Sequence, residues 1–285
     1  MEQEVRPEHG VAASRRARRL DWTPDSIDIE RPSVARMYDY YLGGSHNFAV
    51  DRDTARQVIA AVPDTPLFAQ SNRAFLRRVV RFLTDSGVRQ FLDIGSGIPT
   101  VGNVHEIAQS AAPDARVVYV DIDPIAVTHS QGLLEGNDLA TAIVGDLRAP
   151  EEILRHPEVR RLLDFGRPVG VLIVAVLHFV PESADPAGLI ATIRHHLAPG
   201  SYLALTVLSA EGRPPEETRA SEEIYRDVNI PLTVRDTGDV VRMLAGFELM
   251  PPGAVPIPRW RPNPTDLADE DLTRSVFVGA VGRVP

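Results

Sequence analysis

No cysteine occurs among the 285 residues of the chain. That excludes disulfides, thiolate catalysis and cysteine-ligated zinc. The longest apolar run, Val169 to Leu177, falls well short of the ~20 residues that a helix needs to cross a bilayer. Met1 to Leu20 is polar and arginine-rich, without the apolar stretch of a secretory signal, and a cytoplasmic protein is the default reading. There is no His/Asp/Glu cluster with metal-ligand spacing, no G-x-S-x-G elbow, no internal repeat and no low-complexity tract. An excess of positive charge is also missing. The formal net charge is −9, so broad electrostatic attraction to nucleic acid is not expected. Arg15, Arg16, Arg18 and Arg19 form a local basic patch, but in a segment with no core-forming pattern, and it reads as a solvated tail.

What is present suffices for one large domain or two small ones, with 44% hydrophobic residues to build a core. Residues 1–26 are charged and poor in apolar side chains, which predicts a disordered tail. Residues 27–85 predict an N-terminal helical cap. Its first helix covers Arg31 to Leu42, with Ser33 as N-cap and Val34, Met37, Tyr38 and Tyr41 on one face. A second helix is expected from Asp51 to Ala61, and a third from Ala69 to Thr84. The third carries Phe75, Leu76, Val79 and Val80 on one face and Arg73, Arg77, Arg78 and Arg81 on the other.

From residue 86 onward strands alternate with helices, the pattern of a parallel α/β sheet. Strands are predicted at Phe91 to Ile94, Val117 to Val120, Ala142 to Val144, Val169 to Val176, Tyr202 to Leu208, Phe247 to Leu249 and Ser275 to Val281. The unbroken apolar run of the fourth suits a central strand covered on both faces. One helical stretch is expected over Glu151 to Leu163, and the proline-rich Pro251 to Pro264 as an extended surface crossing.

The chain is organised around Phe91-Leu92-Asp93-Ile94-Gly95-Ser96-Gly97-Ile98-Pro99-Thr100, a buried strand breaking into a glycine turn before a helix that starts near Asn103. Gly95 and Gly97 let a ligand approach the main chain closely, facing the free N–H groups of the helix start. A dinucleotide site would want a third glycine where Thr100 stands. Asp93, two residues before the first glycine, suits a ligand with an ammonium group, held directly or through water. Asp121 ends strand two, 24 positions after Gly97, where a carboxylate accepts from ribose hydroxyls. Asp146 follows strand three, suited to an adenine amino group. Three acids at successive strand ends fall on one edge of the sheet, where open α/β folds bind ligands.

An acid followed by G-x-G at the end of the first strand resembles the S-adenosylmethionine (AdoMet) methyltransferases. More narrowly, the chain resembles an actinobacterial AdoMet methyltransferase family first catalogued as a domain of unknown function. The resemblance is carried by Ser33 to Gly44 (SVARMYDYYLGG), Asn47-Phe48, Gly97-Ile98-Pro99-Thr100, Asn103-Val104-His105-Glu106, Leu177-His178-Phe179-Val180-Pro181 and Trp260-Arg261-Pro262. It implies a Rossmann-like class I fold, with a seven-stranded, mostly parallel sheet flanked by helices and its last strand antiparallel. It implies AdoMet bound over Gly95, Ser96 and Gly97, with Asp93 and Asn103 beside the turn and Asp121 on the ribose. Asp146 would lie near the adenine, and Ile122, Leu147 and Ala175 would also contact the cofactor.

The resemblance leaves the acceptor open, and a small molecule methylated on oxygen or nitrogen is expected. The absence of an Asn/Asp-Pro-Pro-Tyr tetrapeptide after strand four argues against the exocyclic amine of a nucleic-acid base. His178 is either the general base for the acceptor or a histidine packed beneath the cofactor, and His105 reads as structural or cofactor-orienting. Tyr38, Tyr41 and Asn47 either close over the cofactor, with tyrosine faces toward the sulfonium, or form a helix-packing face. The competing functions are an AdoMet-binding protein without turnover and an NAD-dependent oxidoreductase.

Overall fold

The run Val169 to Val176 shows how sheet and site divide the chain. Only Gly170–Ile173 (β4) pairs as a strand, buried throughout and hydrogen-bonded between β1 (Gln90–Ile94) and β5 (Tyr202–Leu208). The next residues leave the sheet. Ala175 takes φ of 60° and donates its N–H to Thr206 Oγ1 at 2.8 Å, so the last part of the apolar run faces a cavity instead of a neighbouring strand. The computed structural model describes residues 28–99, 102–262 and 275–285. The expected tail at 1–26, with its arginine patch, and Thr100 lie outside them.

The remaining strands are β2 (Arg116–Asp121), β3 (Ala140–Val144), β6 (Glu248–Leu249), β7 (Val255–Pro256) and β8 (Phe277–Arg283). They form one sheet in the order β3-β2-β1-β4-β5-β8-β6, with β7 paired to β8. β3 through β5 are parallel, and β8 is antiparallel to its neighbours. The helices are α1 (Val34–Tyr41), α2 (Ala49–Ala61), α3 (Thr65–Asp85), α4 (Val104–Ala111), α5 (Pro124–Leu133), α6 (Pro150–Arg155), α7 (Pro157–Leu162), α8 (Pro186–His195), α9 (Pro215–Asp227) and α10 (Thr237–Met243). Successive strand residues point to opposite faces. Leu92, Val118 and Val171 therefore join a core with residues of α6, α7, α8 and α10, while Phe91, Val117 and Leu172 join one with α3 and α4.

Among the described residues the sheet has eight strands, not seven, because β7 lies inside the proline-rich stretch expected to cross the surface. Ile257 and Trp260 of that stretch are fully buried. The Trp260 ring stands edge-on to Phe75 and Phe82 at 5.4 and 5.7 Å. Arg78, expected on the polar face of α3, is buried there instead. Its guanidinium donates to the carbonyls of Trp260 at 3.0 Å and Ile257 at 2.7 Å, the latter also accepting from the Trp260 N–H at 3.1 Å. The single helical stretch expected over 151–163 is two helices, since Pro157 has no N–H to continue the first.

Candidate active site

The carboxyl ends of β1, β2 and β4 open into a cavity of about 570 Å³, within the usual range for a small-molecule site. Its floor is the turn after β1. Gly95 has φ of 75°, and a Cβ there would lie 2.1 Å from Val176 Cγ2, so only glycine fits. Gly97 has φ of 68° and donates its N–H to Asp121 Oδ2 at 2.7 Å, which ties the glycine turn to the end of β2. The other oxygen of Asp121 accepts from the Asp123 N–H at 2.8 Å.

Burial raises the Asp93 carboxyl to about 7. Arg73 of α3 pulls it down, and the neighbouring Asp121 pushes it up. Burial likewise lifts Asp121 to about 6, against the N–H groups of Asp123 and Gly97. Two buried acids with incompletely compensated charge thus flank a glycine turn, an arrangement that suits a cationic, hydroxyl-rich ligand.

Of the residues singled out in the sequence, Asp93, Gly95, Ser96, Gly97 and Asp121 line this cavity. So do Ile122, Asp146, Leu147 and Ala175, and from α1 Tyr38 and Tyr41. The Asp146 carboxylate is engaged by Arg148, whose Nη2 lies 2.5 Å away, and this contact lowers its pKa. Four residues stand off the cavity. Asn103 is the buried N-cap of α4 and lines a water-sized void behind the glycine turn, together with Asp93 and Arg73. Asn47 is buried and uses its amide N–H groups on Asp39 Oδ2 and the Gly44 carbonyl, holding the α1–α2 corner together. His178 is buried against Phe179 and Phe277, and its Nδ1 has no partner among the described residues. Burial, with Arg235 adding to it, drives its pKa down to about 3. His105 Nδ1 lies 2.7 Å from the Tyr119 hydroxyl, which also accepts the His105 backbone N–H (2.8 Å).

Several residues at the cavity escaped the sequence reading. Ser33 does not cap α1 with its side chain. It donates to Asp123 Oδ2 at 2.5 Å. Arg36, almost fully buried, donates to Asp51 Oδ2 at 2.9 Å and lies 3.5 Å from Asp123 Oδ2. A continuous polar chain thus runs from α1 through Asp123 to Asp121 and Gly97. A second chain fixes Tyr38. Thr206 donates to Asn72 Oδ1 (2.9 Å), Asn72 Nδ2 donates to the Tyr38 hydroxyl (3.2 Å), and that hydroxyl donates to the Ala69 carbonyl (3.0 Å). The clue for Arg36 lay within the SVARMYDYYLGG motif. Asn72 and Arg73 lie on α3, where the sequence marks Arg73 only as part of the face opposite the apolar one.

A family model described as S-adenosyl methyltransferase matches residues 20–285. A DUF574 family protein from Streptomyces avermitilis is 38% identical, with a TM-score of 0.87 over 90% of this chain and 99% of its own. A proposed methyltransferase from Thermobifida fusca is 40% identical, with a TM-score of 0.86 over 93% of this chain and 99% of its own. A Mesorhizobium loti S-adenosylmethionine-dependent methyltransferase, 17% identical with a TM-score of 0.50 over 72% of this chain and 96% of its own, shares the fold. A search of curated proteins found no match. Its match over nearly the whole chain and its class I fold make this protein a member of the S-adenosyl methyltransferase family, dependent on S-adenosylmethionine.

Proposed function

We propose that this methyltransferase binds its cofactor along the floor of the cavity and a small-molecule acceptor, methylated on oxygen or nitrogen, at the opposite wall. In this reading Asp93 holds the cofactor's ammonium group, Arg73 beside it attracts the carboxylate, and Asp121 accepts from the ribose hydroxyls. Ile122, more than half exposed in the protein, and Leu147 offer apolar surface to the adenine. Residues 27–85 act as a cap, and residues 86–285 as the cofactor-binding domain. When bound, the cofactor supplies a methyl group whose carbon is attacked by the acceptor's lone pair as the S–CH₃ bond breaks, releasing S-adenosylhomocysteine and the acceptor's proton.

The chain's contribution is positioning, which can supply much of the rate of a bimolecular step. Tyr38 is held by two polar partners and lines the cavity. His178 packs beneath this wall, and we assign it no proton-accepting role, because a base near pKa 3 is poorly matched to neutral pH. One observation carries the reading: the buried, charge-deficient Asp93 on the floor of a cavity roofed by the family's own α1 motif. Calorimetric titration of the Asp93→Ala variant with S-adenosylhomocysteine tests it. Loss of binding with the fold retained is expected, and binding at wild-type affinity would remove Asp93 from the site. Among the described residues no helix is long and apolar enough to cross a membrane.

A further inference from the structure

The two ends of the cavity differ in chemistry. The end at β2 and β3 carries Asp121, Asp123, Asp146 and Arg148. The opposite end is built by the second half of α1, the 3₁₀ turn Leu177–Phe179 after β4, and α9 with the loop behind it. Its lining is Tyr41, Phe179, Tyr225, Asn229, Ile230 and Pro231, none of them charged, while Tyr38, which feels the Arg73 guanidinium, lies between the two ends. These side chains do not belong to either sheet core. Tyr41 and Tyr225 form a separate cluster with Met37, Ala55, Val58 and Ala69, on which Tyr38, Phe179 and Ile230 pack. The Phe179 and Tyr225 rings lie 5.7 Å apart, tilted by 47°, and make an aromatic wall. An ion moved to such a wall would give up its hydration with no countercharge to replace it.

Beside Asn229, a pair of hydroxyls interrupts the wall. The Tyr41 and Tyr225 hydroxyls lie 3.3 Å apart, across 184 positions of sequence. One donates to the other. The accepting tyrosine keeps its own hydrogen, for which no other acceptor is found among the described residues. Burial raises the pKa of both phenols, so the pair is neutral and acts as a donor, not as a base. Both tyrosines line the cavity, so this hydrogen is available to a ligand oxygen there.

Building on the cofactor site proposed above, we infer that this end takes a flat, uncharged aromatic acceptor with a hydroxyl or carbonyl oxygen that accepts a hydrogen bond from the Tyr41–Tyr225 pair. The aromatic wall fits the ring system, the lack of charge excludes carboxylates and ammonium ions, and the tyrosine pair sets the orientation. Tyr41 and Tyr225 are specificity-determining residues in this account, and α9 belongs to the site although nothing in its sequence marks it.

The test uses the full-length protein saturated with S-adenosylhomocysteine. Binding is measured for matched probes on naphthalene and phenanthrene frames: the unsubstituted hydrocarbon, the hydroxyl, the carboxylate and the aminomethyl cation. The hydroxyl probe of at least one frame is expected to bind, and its charged counterparts about tenfold or more weakly. The Tyr41→Phe/Tyr225→Phe double variant removes the donor while keeping both rings. It is expected to weaken the hydroxyl probe by about five- to tenfold and leave the hydrocarbon unchanged, a difference that a general packing defect would not produce. Charged probes binding as well as neutral ones, or a hydroxyl probe indifferent to the double variant, would overturn the inference. So would retained S-adenosylhomocysteine binding with no hydroxyl probe bound. Failure to bind S-adenosylhomocysteine itself would instead sink the underlying cofactor site.

Discussion

Cofactor affinity should depend on pH through Asp93. In the free protein burial holds this carboxyl near 7, mostly protonated at pH 6. Its folded pKa is above its unfolded value, so the free protein binds this proton better when folded. The stabilisation is complete below about pH 4 and is lost as pH rises through about 7. Binding an ammonium group works the other way, because the ionised carboxylate is the competent partner. Apparent affinity scales with the ionised fraction, about one in eleven at pH 6 and about three-quarters at pH 7.5, which gives about an eightfold gain. Asp121, near 6, adds about twofold over the same window. Titration calorimetry with S-adenosylhomocysteine at pH 6 and 7.5 reads the effect. 5′-Methylthioadenosine, which keeps the adenosine and thioether but lacks the ammonium and carboxylate of the amino-acid tail, should show only the Asp121 part. Asp93→Asn should bring S-adenosylhomocysteine down to that same shallow dependence. An affinity flat across the window in the wild type, or a steep dependence that survives in Asp93→Asn, would refute the assignment of Asp93 to the ammonium group.

His178 carries the opposite linkage. Its folded pKa is depressed to about 3, so its stabilisation is present above about 6.5 and is lost as pH falls below that. Urea unfolding at pH 7 and pH 5 should show His178→Gln gaining about 2 kcal/mol relative to wild type on acidification, and no such gain would place the histidine in a wetter site. The same variant should keep the wild-type pH profile of methyl transfer, which a base at this position would change. Arg36→Met breaks a buried ion pair and strands Asp51 and Asp123, so a loss of about 3–5 kcal/mol is expected by chemical denaturation, together with weaker cofactor binding. Trp260→Ala leaves a cavity against Phe75 and Phe82 and should cost about 3–5 kcal/mol without changing the site, which binding measured well below the transition checks. Gly95→Ala meets both Val176 and a left-handed backbone, and should weaken cofactor binding more than any other single methyl addition in the turn.

How far the sequence could be read depended on whether the deciding contact was local. Strands with apolar runs, the glycine turn and the acids at strand ends follow from patterns a few residues long, and β1, β2 and β5 fall where expected to within a residue or so. β4 was overrun because its last apolar residues serve the cavity wall, and hydropathy does not distinguish a neighbouring strand from a ligand. The 251–262 stretch was misjudged because its prolines outvote two buried anchors, Ile257 and Trp260, whose carbonyls accept from an arginine about 180 positions away. Arg78 and Arg73 were hidden for the same reason, since an arginine stripe on an amphipathic helix looks solvated until its partners are known. Ser33 has the residue type and place of an N-cap, yet its hydroxyl is spent on Asp123, 90 positions on. Tyr225 had no signal at all, because its meaning lies in Tyr41 across the cavity.

Thermal unfolding of the full-length protein, alone and with S-adenosylmethionine, S-adenosylhomocysteine or NAD, addresses the central claim most directly. A ligand at about 100 times its dissociation constant stabilises the folded state by roughly 2.7 kcal/mol, enough to displace the transition visibly. The account predicts a higher midpoint with both adenosyl ligands, its loss in Asp93→Ala, and none with NAD. A shift with NAD alone, or adenosyl shifts that survive Asp93→Ala undiminished, would contradict it.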